Sequence, residues 1–311
     1  MLSIVVNFFN NRREARNTLH SLTAGYQQGV RDLEYEVIAV DHGSSLPLSE
    51  AEVRAHGPQF RYQFERTSSV SPAAALNAAC RAAGGDRLLV IIDGAHILSP
   101  RVLSLAHTAF RMFPAPFVAT VPFHLGPKQQ YESMLEGYNQ QVEDRMLAKC
   151  RWQEDGYRLY SVTEAFSDSS QGWFGMLFES GCFGMRKADF LALGGFDERF
   201  QSPGGGLVNL DLFRRALSNR DLQYVMLLGE GTFHQFHGGV TSNVPRDRQP
   251  WQSNHDEYVR IRGESYKRVP RPPFFIGGIP REVRHIAKYS AVTGFDLWGK
   301  EGGADPAAPA R

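Results

Sequence analysis

The sequence has little cysteine and no excess of either charge, and these two shortages exclude several protein classes. Its 311 residues include only three cysteines, Cys80, Cys150 and Cys182, which are far apart and form no CxxC pair. This spacing argues against a zinc knuckle or a disulfide framework and suits a reducing compartment. Lys and Arg number 34 against 33 Asp and Glu. Since a nucleic-acid-binding domain normally carries a basic excess, we expect no nucleic-acid partner.

Long apolar runs are also missing. No stretch approaches the roughly 18 to 20 apolar residues that a membrane-spanning helix needs. The chain opens on a strand-like run at residues 2–6, without the basic start and apolar core of a signal peptide. These features predict a cytoplasmic protein whose contact with a membrane would be peripheral, at the inner face.

Strand and helix signals alternate through the first 125 residues. Apolar runs typical of strands occur at residues 3–9, 35–40, 87–92 and 117–123. Helical spacing of apolar residues occurs between them, at 12–22, 72–83 and 101–112. This alternation predicts an α/β, Rossmann-like fold with a mostly parallel sheet and helices on both faces.

The chain changes character after residue 125, which suggests its domain organisation. Helical spacing is present at 128–149, residues 151–172 are typical of a loop, and strand and helix signals return from 183 onwards. We predict one domain over residues 1–242, with a nucleotide-binding half at 1–125 and an acceptor and catalytic half at 126–242. A C-terminal extension follows at 243–300, and the Gly/Ala/Pro-rich tail at 301–311 is predicted to be disordered.

Polar and aromatic residues follow the first two predicted strands, where an open parallel sheet binds its ligands. The first strand leads into Phe8, Phe9 and Asn10, and the second leads into Asp41. A carboxylate at Asp41 could accept hydrogen bonds from a nucleobase or a ribose. The same Asp-x-Gly-Ser pattern is also ordinary turn chemistry, so both interpretations stand.

A second group of residues could hold a metal ion. Asp93 and His96 follow the buried strand at 87–92, while His234 and His237 follow the last strand beside a glycine pair. Carboxylate oxygens suit magnesium, and manganese accepts imidazole as well. The alternative is that Asp93 closes a turn and that the histidines are satisfied core or surface residues, as most single histidines are.

Together and in order, these segments resemble the inverting family-2 glycosyltransferases of the GT-A fold, over residues 2–125 and 178–242. The strongest motif is Gly-Gly-Phe-Asp-Glu-x-Phe at 194–200, followed by Asp-Leu-Phe-Arg at 211–214. The resemblance implies that Asp41 contacts uracil or ribose, that the turn at Phe8 and Phe9 flanks the base, and that Asp93 begins the Asp-x-Asp metal motif. It also implies metal-assisted transfer of a sugar from a UDP-linked donor to a glycan or other hydroxyl acceptor, as in polysaccharide biosynthesis.

Three departures from the family pattern change the predicted site. Ala95 replaces the second acid of the metal motif, His42 stands where a second acid is common, and Asn209 takes the position of the catalytic base. An amide cannot accept a proton from a hydroxyl group. An Asn at this place also resembles the polypeptide N-acetylgalactosaminyltransferases, which pair Asp-x-His with a later His.

We therefore predict manganese rather than magnesium, held by Asp93, His96 and one or both of His234 and His237. Asp211 is the substitute base, unless it caps its helix or pairs with Arg214 three residues on, and Glu179 is a further candidate. The acceptor surface would come from residues 126–180. The main alternative is a catalytically inactive, nucleotide-sugar-binding relative or partner subunit, which Ala95 and Asn209 favour. A nucleotidyltransferase is a weaker third interpretation, since the first strand leads into no glycine-rich basic loop.

Overall fold

One mixed sheet of ten strands organises the chain, in a computed structural model that describes residues 1–164 and 170–298. The strands are β1 (Leu2–Phe8), β2 (Tyr35–Asp41), β3 (Phe60–Phe64), β4 (Arg87–Ile91), β5 (His96–Leu98), β6 (Pro116–Leu125), β7 (Thr163–Glu164), β8 (Cys182–Arg186), β9 (Gln223–His234) and β10 (Phe274–Gly277). The helices are α1 (Arg12–Ser21), α2 (Glu50–Arg54), α3 (Ala73–Ala82), α4 (Val102–Met112), α5 (Gln130–Ser133), α6 (Gln140–Cys150), α7 (Lys187–Ala192), α8 (Val208–Ser218), α9 (Trp251–Arg262) and α10 (Arg284–Trp298).

The strand order is β10-β9-β6-β8-β4-β1-β2-β3, with β5 paired to β9 and β7 paired to β6. The pairs on either side of β1 are parallel, as are those of β9 with β6 and β10, whereas β8 runs antiparallel to both neighbours. The chain leaves β1 towards β2 and β3 on one side and returns as β4 on the other. This reversal opens a crevice at the carboxyl ends of β1, β2 and β4, where such folds bind ligands.

Helices cover both faces of the sheet because side chains alternate along each strand. Val5 of β1 belongs to the core cluster that includes residues of α3 and α8, while Ile4 and Val6 belong to a second cluster, with residues of α1 and α4, on the opposite face. Full burial of each such side chain stabilises the fold by about 1.5 to 3 kcal/mol. The predicted α/β class, with a mostly parallel sheet and helices on both faces, is confirmed.

The segment between β6 and β8 differs in detail from the prediction. The helix expected over 128–149 is broken into α5, a short 3-10 turn and α6, because Gly137 adopts a φ of 94° and Asn139 caps α6. Within the stretch predicted as loop, Gly156–Val162 forms a 3-10 helix that buries Leu159 and Tyr160. Trp173 is fully buried and donates its indole N–H to the Glu230 carbonyl oxygen (2.9 Å), so it belongs to the core.

Residues beyond 242 add α9, β10 and α10, and β10 extends the sheet next to β9. The tail predicted to be disordered, 301–311, lies outside the described residues. Within the described parts of the chain, no helix is both long enough and apolar enough to cross a bilayer.

Candidate functional site

Three candidate metal ligands lie together at the carboxyl edge of the sheet. Asp93 Oδ2 is 3.3 Å from His234 Nε2 and 3.1 Å from His237 Nε2, and the two imidazole nitrogens are 3.1 Å apart. Two ligand atoms that lie about 2.1 Å from one ion at a right angle are about 3 Å from each other. The three atoms can therefore bind one divalent cation together. The ligand set would consist of one carboxylate and two imidazoles.

The local electrostatics favour the ligating forms of two of these groups. Burial lowers the pKa of His234 to about 4, so this imidazole is neutral at physiological pH. Burial opposes ionisation of Asp93, but His237 and His234 beside it lower the pKa of the carboxyl well below its usual range. Burial also lowers the pKa of His237, but the Asp93 carboxylate outweighs it and raises that pKa overall. A cation at this site would therefore displace a proton from His237.

The Asp93 carboxylate is oriented by groups on its other side. Asn11 Nδ2 and the backbone N–H of Ala95 donate to Asp93 Oδ1 over 3.1 and 3.0 Å. The second oxygen is thereby left facing the two histidines. Ala95 thus contributes through its backbone, although its side chain cannot bind a metal.

His96 lies beside this group without joining it. The antiparallel register of β5 and β9 places His96 opposite His234, and their ring centroids are 5.0 Å apart. Its Nδ1 is 3.0 Å from the carbonyl oxygen of Asp93. The structure therefore brings together Asp93, His234 and His237, while a ligand role for His96 stays a prediction.

The loop that carries His237 is held from both sides at Phe236. The Phe236 N–H donates to the buried carboxylate of Glu143 (2.9 Å to Oε2), and its carbonyl oxygen accepts from Arg13 Nη1 (3.2 Å). Burial raises the pKa of Glu143 to about 7. Arg13 and Glu143 were not among the predicted site residues. The sequence signal that could indicate burial of Glu143 is its i,i+4 spacing from Leu147, which places both side chains on one face of α6. These two are the buried residues of that helix.

On the nucleotide side, Asp41 shapes the turn after β2. Its Oδ1 accepts the Ser44 N–H (2.9 Å) and its Oδ2 accepts the Leu48 N–H (3.1 Å), and the residue is 1% exposed. Asn10 ties this turn to the exit of β1, because its N–H donates to Ser44 Oγ (2.8 Å) and its Oδ1 accepts the Ser45 N–H (2.8 Å). The turn interpretation of Asp41 is therefore observed, and direct contact of Asp41 or Asn10 with a nucleotide stays a prediction.

The two neighbouring phenylalanines play different parts. Phe8 is 1% exposed and packs in the core, and a Cβ atom on Gly94 would come within 2.2 Å of its ring. Phe9 is half-buried and stacks on His42 with ring centroids 4.7 Å apart. His42 is 2% exposed, and neither ring nitrogen has a hydrogen-bond partner within the described parts of the chain. Phe9 is thus the less buried of the two phenylalanine rings, and its contact with a nucleobase stays a prediction.

The candidate base Asp211 is enclosed by arginines. It is fully buried in α8, and its Oδ1 and Oδ2 accept from Arg262 (2.6 Å each), while Oδ2 also accepts from Arg215 (2.8 Å). Protonation of either oxygen would weaken these charge-assisted hydrogen bonds. The pairing interpretation is observed, with Arg215 and Arg262 as partners instead of Arg214. Nothing in this arrangement supports Asp211 as a base, and that role stays a prediction.

Asn209 lies on the same helix but faces a different carboxylate. Its Nδ2 donates to Glu179 Oε1 (2.8 Å) and to the Ser180 carbonyl oxygen (3.2 Å). Its own Oδ1 is buried and has no partner among the described residues. Glu179 is half-buried, just before β8. An acid thus lies within hydrogen-bonding distance of the position where the family pattern places its base.

Solved structures of similar fold have low sequence identity to this chain. S. aureus TarS 1–349 in complex with UDP-GlcNAc gives a TM-score of 0.50 at 13% identity, over 84% of this chain and 74% of that one. Another S. aureus TarS structure gives 0.48 at 14% identity over 76% of this chain, which spans only 37% of that protein. The mannosyltransferase PcManGT from Pyrobaculum calidifontis, in complex with GDP-Man and Mn²⁺, gives 0.42 at 16% identity, covering 93% and 68%.

Comparison at the level of sequence gives the family. No curated protein sequence matches the chain. The likeness to the polypeptide N-acetylgalactosaminyltransferases stays a prediction. The model of the family described as Glycosyl transferase family 2 matches residues 3–187, which is more than half of the chain. The chain belongs to glycosyl transferase family 2.

Proposed function

We propose that this protein transfers a hexosyl or N-acetylhexosaminyl group from a UDP-linked donor to a hydroxyl acceptor, with the help of a divalent cation. The observation that carries the proposal is the group of Asp93, His234 and His237, whose ligand atoms face one another at 3.1 to 3.3 Å. The group lies at the carboxyl edge of the sheet, beside the crevice between β1, β2 and β4. Family membership supports a sugar donor, and the uracil contact that the resemblance implies for Asp41 supports UDP.

The residues fit a cation at this place. Asp93 has one oxygen anchored by N–H donors and one directed at the histidines, and His234 is neutral at physiological pH. Two imidazole ligands favour manganese over magnesium, which prefers oxygen. When bound, such an ion supplies Lewis-acid stabilisation of the negative charge on a diphosphate leaving group.

We propose Glu179 as the base that takes the proton from the acceptor hydroxyl. The hydrogen bond from Asn209 holds one carboxylate oxygen of Glu179 at 2.8 Å from the position where the family pattern places its base, and a carboxylate can take a proton from a hydroxyl group. Burial raises the pKa of Tyr266, and the charge of Glu179 raises it further. Tyr266, from the segment after α9, therefore lies near Glu179.

The test is a binding titration followed by a donor-consumption assay. Isothermal titration with UDP, with and without Mn²⁺, should show metal-dependent tightening, and GDP should bind more weakly than UDP. UDP-GlcNAc and UDP-glucose, incubated with Mn²⁺, should release UDP. Absence of any uridine-nucleotide binding at millimolar concentration would overturn the proposal.

One alternative remains supported by a specific observation, the amide at Asn209 in place of an acid. A catalytically inactive, nucleotide-sugar-binding protein would bind UDP and Mn²⁺ as tightly but release no UDP from any donor. The two experiments together therefore separate an enzyme from an inactive relative.

A further inference from the structure

Gln130, in the short helix after β6, contacts the outer side of His234. Its side chain is fully buried. The amide nitrogen donates to the carbonyl oxygens of His234 (2.8 Å) and Leu125 (3.4 Å). The amide oxygen lies 2.9 Å from both His234 Nδ1 and Asn243 Nδ2. One amide thus touches both the backbone and the ring of a candidate metal ligand.

These contacts fix the orientation of the Gln130 amide. The two backbone carbonyl oxygens only accept hydrogen bonds, so the NH₂ group must face them. The amide oxygen must then face His234 Nδ1, and an amide oxygen also only accepts. His234 must therefore carry its proton on Nδ1, which leaves the lone pair of Nε2 directed at Asp93 and His237.

Asn243 holds the loop after β9 through its side-chain amide. Its Oδ1 accepts three consecutive backbone N–H groups, those of His237 (3.1 Å), Gly238 (2.8 Å) and Gly239 (3.0 Å). Its Nδ2 donates to Gln130 Oε1. Asn243 is 6% exposed, so these bonds have little competition from water. A single pair of carboxamides therefore connects the ring of His234 to the loop that presents His237.

We propose that Gln130 and Asn243 are positioning residues that hold His234 in its Nδ1–H tautomer and fix the His237 loop, so that both Nε2 atoms face Asp93. This inference rests on the proposed function for the part that concerns the cation. Outer-shell partners of this kind typically contribute about 10- to 100-fold to metal affinity. Neither residue belongs to a strand end or to the family motif of the chain. Both act through the histidines.

The tautomer can be measured directly in the metal-free wild-type protein. A long-range ¹H–¹⁵N correlation spectrum of ¹⁵N-histidine-labelled protein distinguishes the two ring nitrogens, with His234→Asn used for assignment. We expect His234 to carry its proton on Nδ1. An Nε2–H tautomer in the wild type would overturn the inference, and this result needs no metal, no donor and no variant at Gln130.

Metal affinity then tests the consequence. Titration of the variants with Mn²⁺ alone should show weakening of about 10- to 100-fold for Gln130→Met, which keeps the side-chain length but cannot accept from Nδ1–H. Asn243→Ser should weaken binding as well. The double variant should lose less than the product of the two losses, because the residues act through one shared hydrogen bond. Gln141→Met, at an exposed position of α6, is the matched control and should bind as the wild type does.

The outcomes separate this inference from the proposed function. If the wild type binds no Mn²⁺, the proposed cation fails, while the tautomer of His234 still decides the inference about Gln130. If the wild type binds Mn²⁺ and Gln130→Met binds it equally well with His234 unchanged in the spectrum, the inference is overturned and the proposed function stands.

Discussion

The Nδ2 of Asn209 donates to Oε1 of Glu179 across 2.8 Å, and this bond joins the first turn of α8 to the residue that precedes Ser180 and β8. The family pattern places its acid at Asn209, and the carboxylate that Asn209 contacts comes from a different part of the chain. Asn209 Oδ1 is buried and has no hydrogen-bond partner among the residues that the structure describes.

We expect Glu179→Gln to lower turnover by about 100-fold while UDP affinity stays unchanged, because the amide cannot accept a proton. Turnover is measured as UDP release from the donor at saturating Mn²⁺. Glu132→Gln, on the exposed side of α5, serves as the control. Asp211→Asn should chiefly lower the free energy of unfolding, since it disturbs the buried contacts with Arg215 and Arg262. Normal turnover in Glu179→Gln would exclude it as the base.

Removal of a metal ligand should abolish the effect of metal on nucleotide binding. We expect His237→Ala to weaken Mn²⁺ binding about tenfold or more and to remove the tightening of UDP binding by Mn²⁺. UDP affinity without metal should be unchanged, since the proposed contacts with the uracil base lie at the ends of β1 and β2. His285→Ala, an exposed residue of α10, is the control. Retained Mn²⁺ dependence in His237→Ala would contradict the ligand set.

The pH dependence of metal binding follows from His237. The neighbouring Asp93 raises the pKa of His237, and a protonated imidazole cannot bind a metal. Mn²⁺ affinity should therefore fall as the pH drops through the raised pKa of His237 and level off above it. The pKa of His234, about 4, is too low to contribute near neutral pH. Calorimetry in buffers of different ionisation enthalpy should show release of protons on binding near that pKa. Binding independent of pH from about 6 to 8 would contradict this assignment.

Much of the fold could be predicted from the sequence because its strands are buried on both faces. The parallel strands β1, β2 and β4 are continuous apolar runs, and the polar residues at their carboxyl ends follow directly in the chain. The short strand β5 carries no such signal. It forms because it pairs with β9, a long-range contact that no local pattern encodes, and this pairing places His96 opposite His234.

The candidate site was predicted only in part, for the same reason. Asp93, His234 and His237 could be named because each lies at or just after the end of a strand, whereas outer partners such as Asn11 and Gln130 come from distant parts of the chain. Glu14 and Glu143 are charged residues that tertiary contacts bury, and polar residues of this kind are ordinarily expected at the surface. Asp211 was predicted as a base because the sequence does not show its partner. Only the structure shows that Arg262, from another helix, donates hydrogen bonds to both of its carboxylate oxygens.

The aromatic wall of the proposed nucleotide site can be tested at Phe9. We expect Phe9→Ala to weaken UDP binding roughly tenfold with or without Mn²⁺, because base stacking contributes about 1 to 3 kcal/mol. The control is Phe64→Ala, at the end of the edge strand β3, where the side chain is 40% exposed. Equal UDP affinity for Phe9→Ala and the wild type would mean that the uracil base does not stack on Phe9.

Arg13 offers a test of what stabilises the His237 loop. Its guanidinium contacts Glu14, Glu143 and Asp144, and the first two carboxylates are 1% and 0% exposed. Arg13→Ala would leave two buried acids without their cation, so we expect a loss of about 3 kcal/mol in the free energy of unfolding. Arg12→Ala removes only a surface pair with Glu52 and should cost less than about 1 kcal/mol. Urea denaturation with unchanged m-values measures both losses.

The loss in Arg13→Ala should also grow as the pH rises. Burial raises the pKa of Glu143 to about 7 with Arg13 present, and removal of the cation raises that pKa further. In the wild type, the free energy of unfolding falls with rising pH because of Glu143 only up to about pH 7. In the variant it continues to fall at higher pH, because the folded variant still holds a proton on Glu143 that the unfolded chain has released. The difference between the two proteins should therefore be larger at about pH 8 than at about pH 6. A difference that is constant over this range would mean that Glu143 keeps its charge without Arg13. The guanidinium would then not be needed for this buried carboxylate to hold Phe236 beside His237.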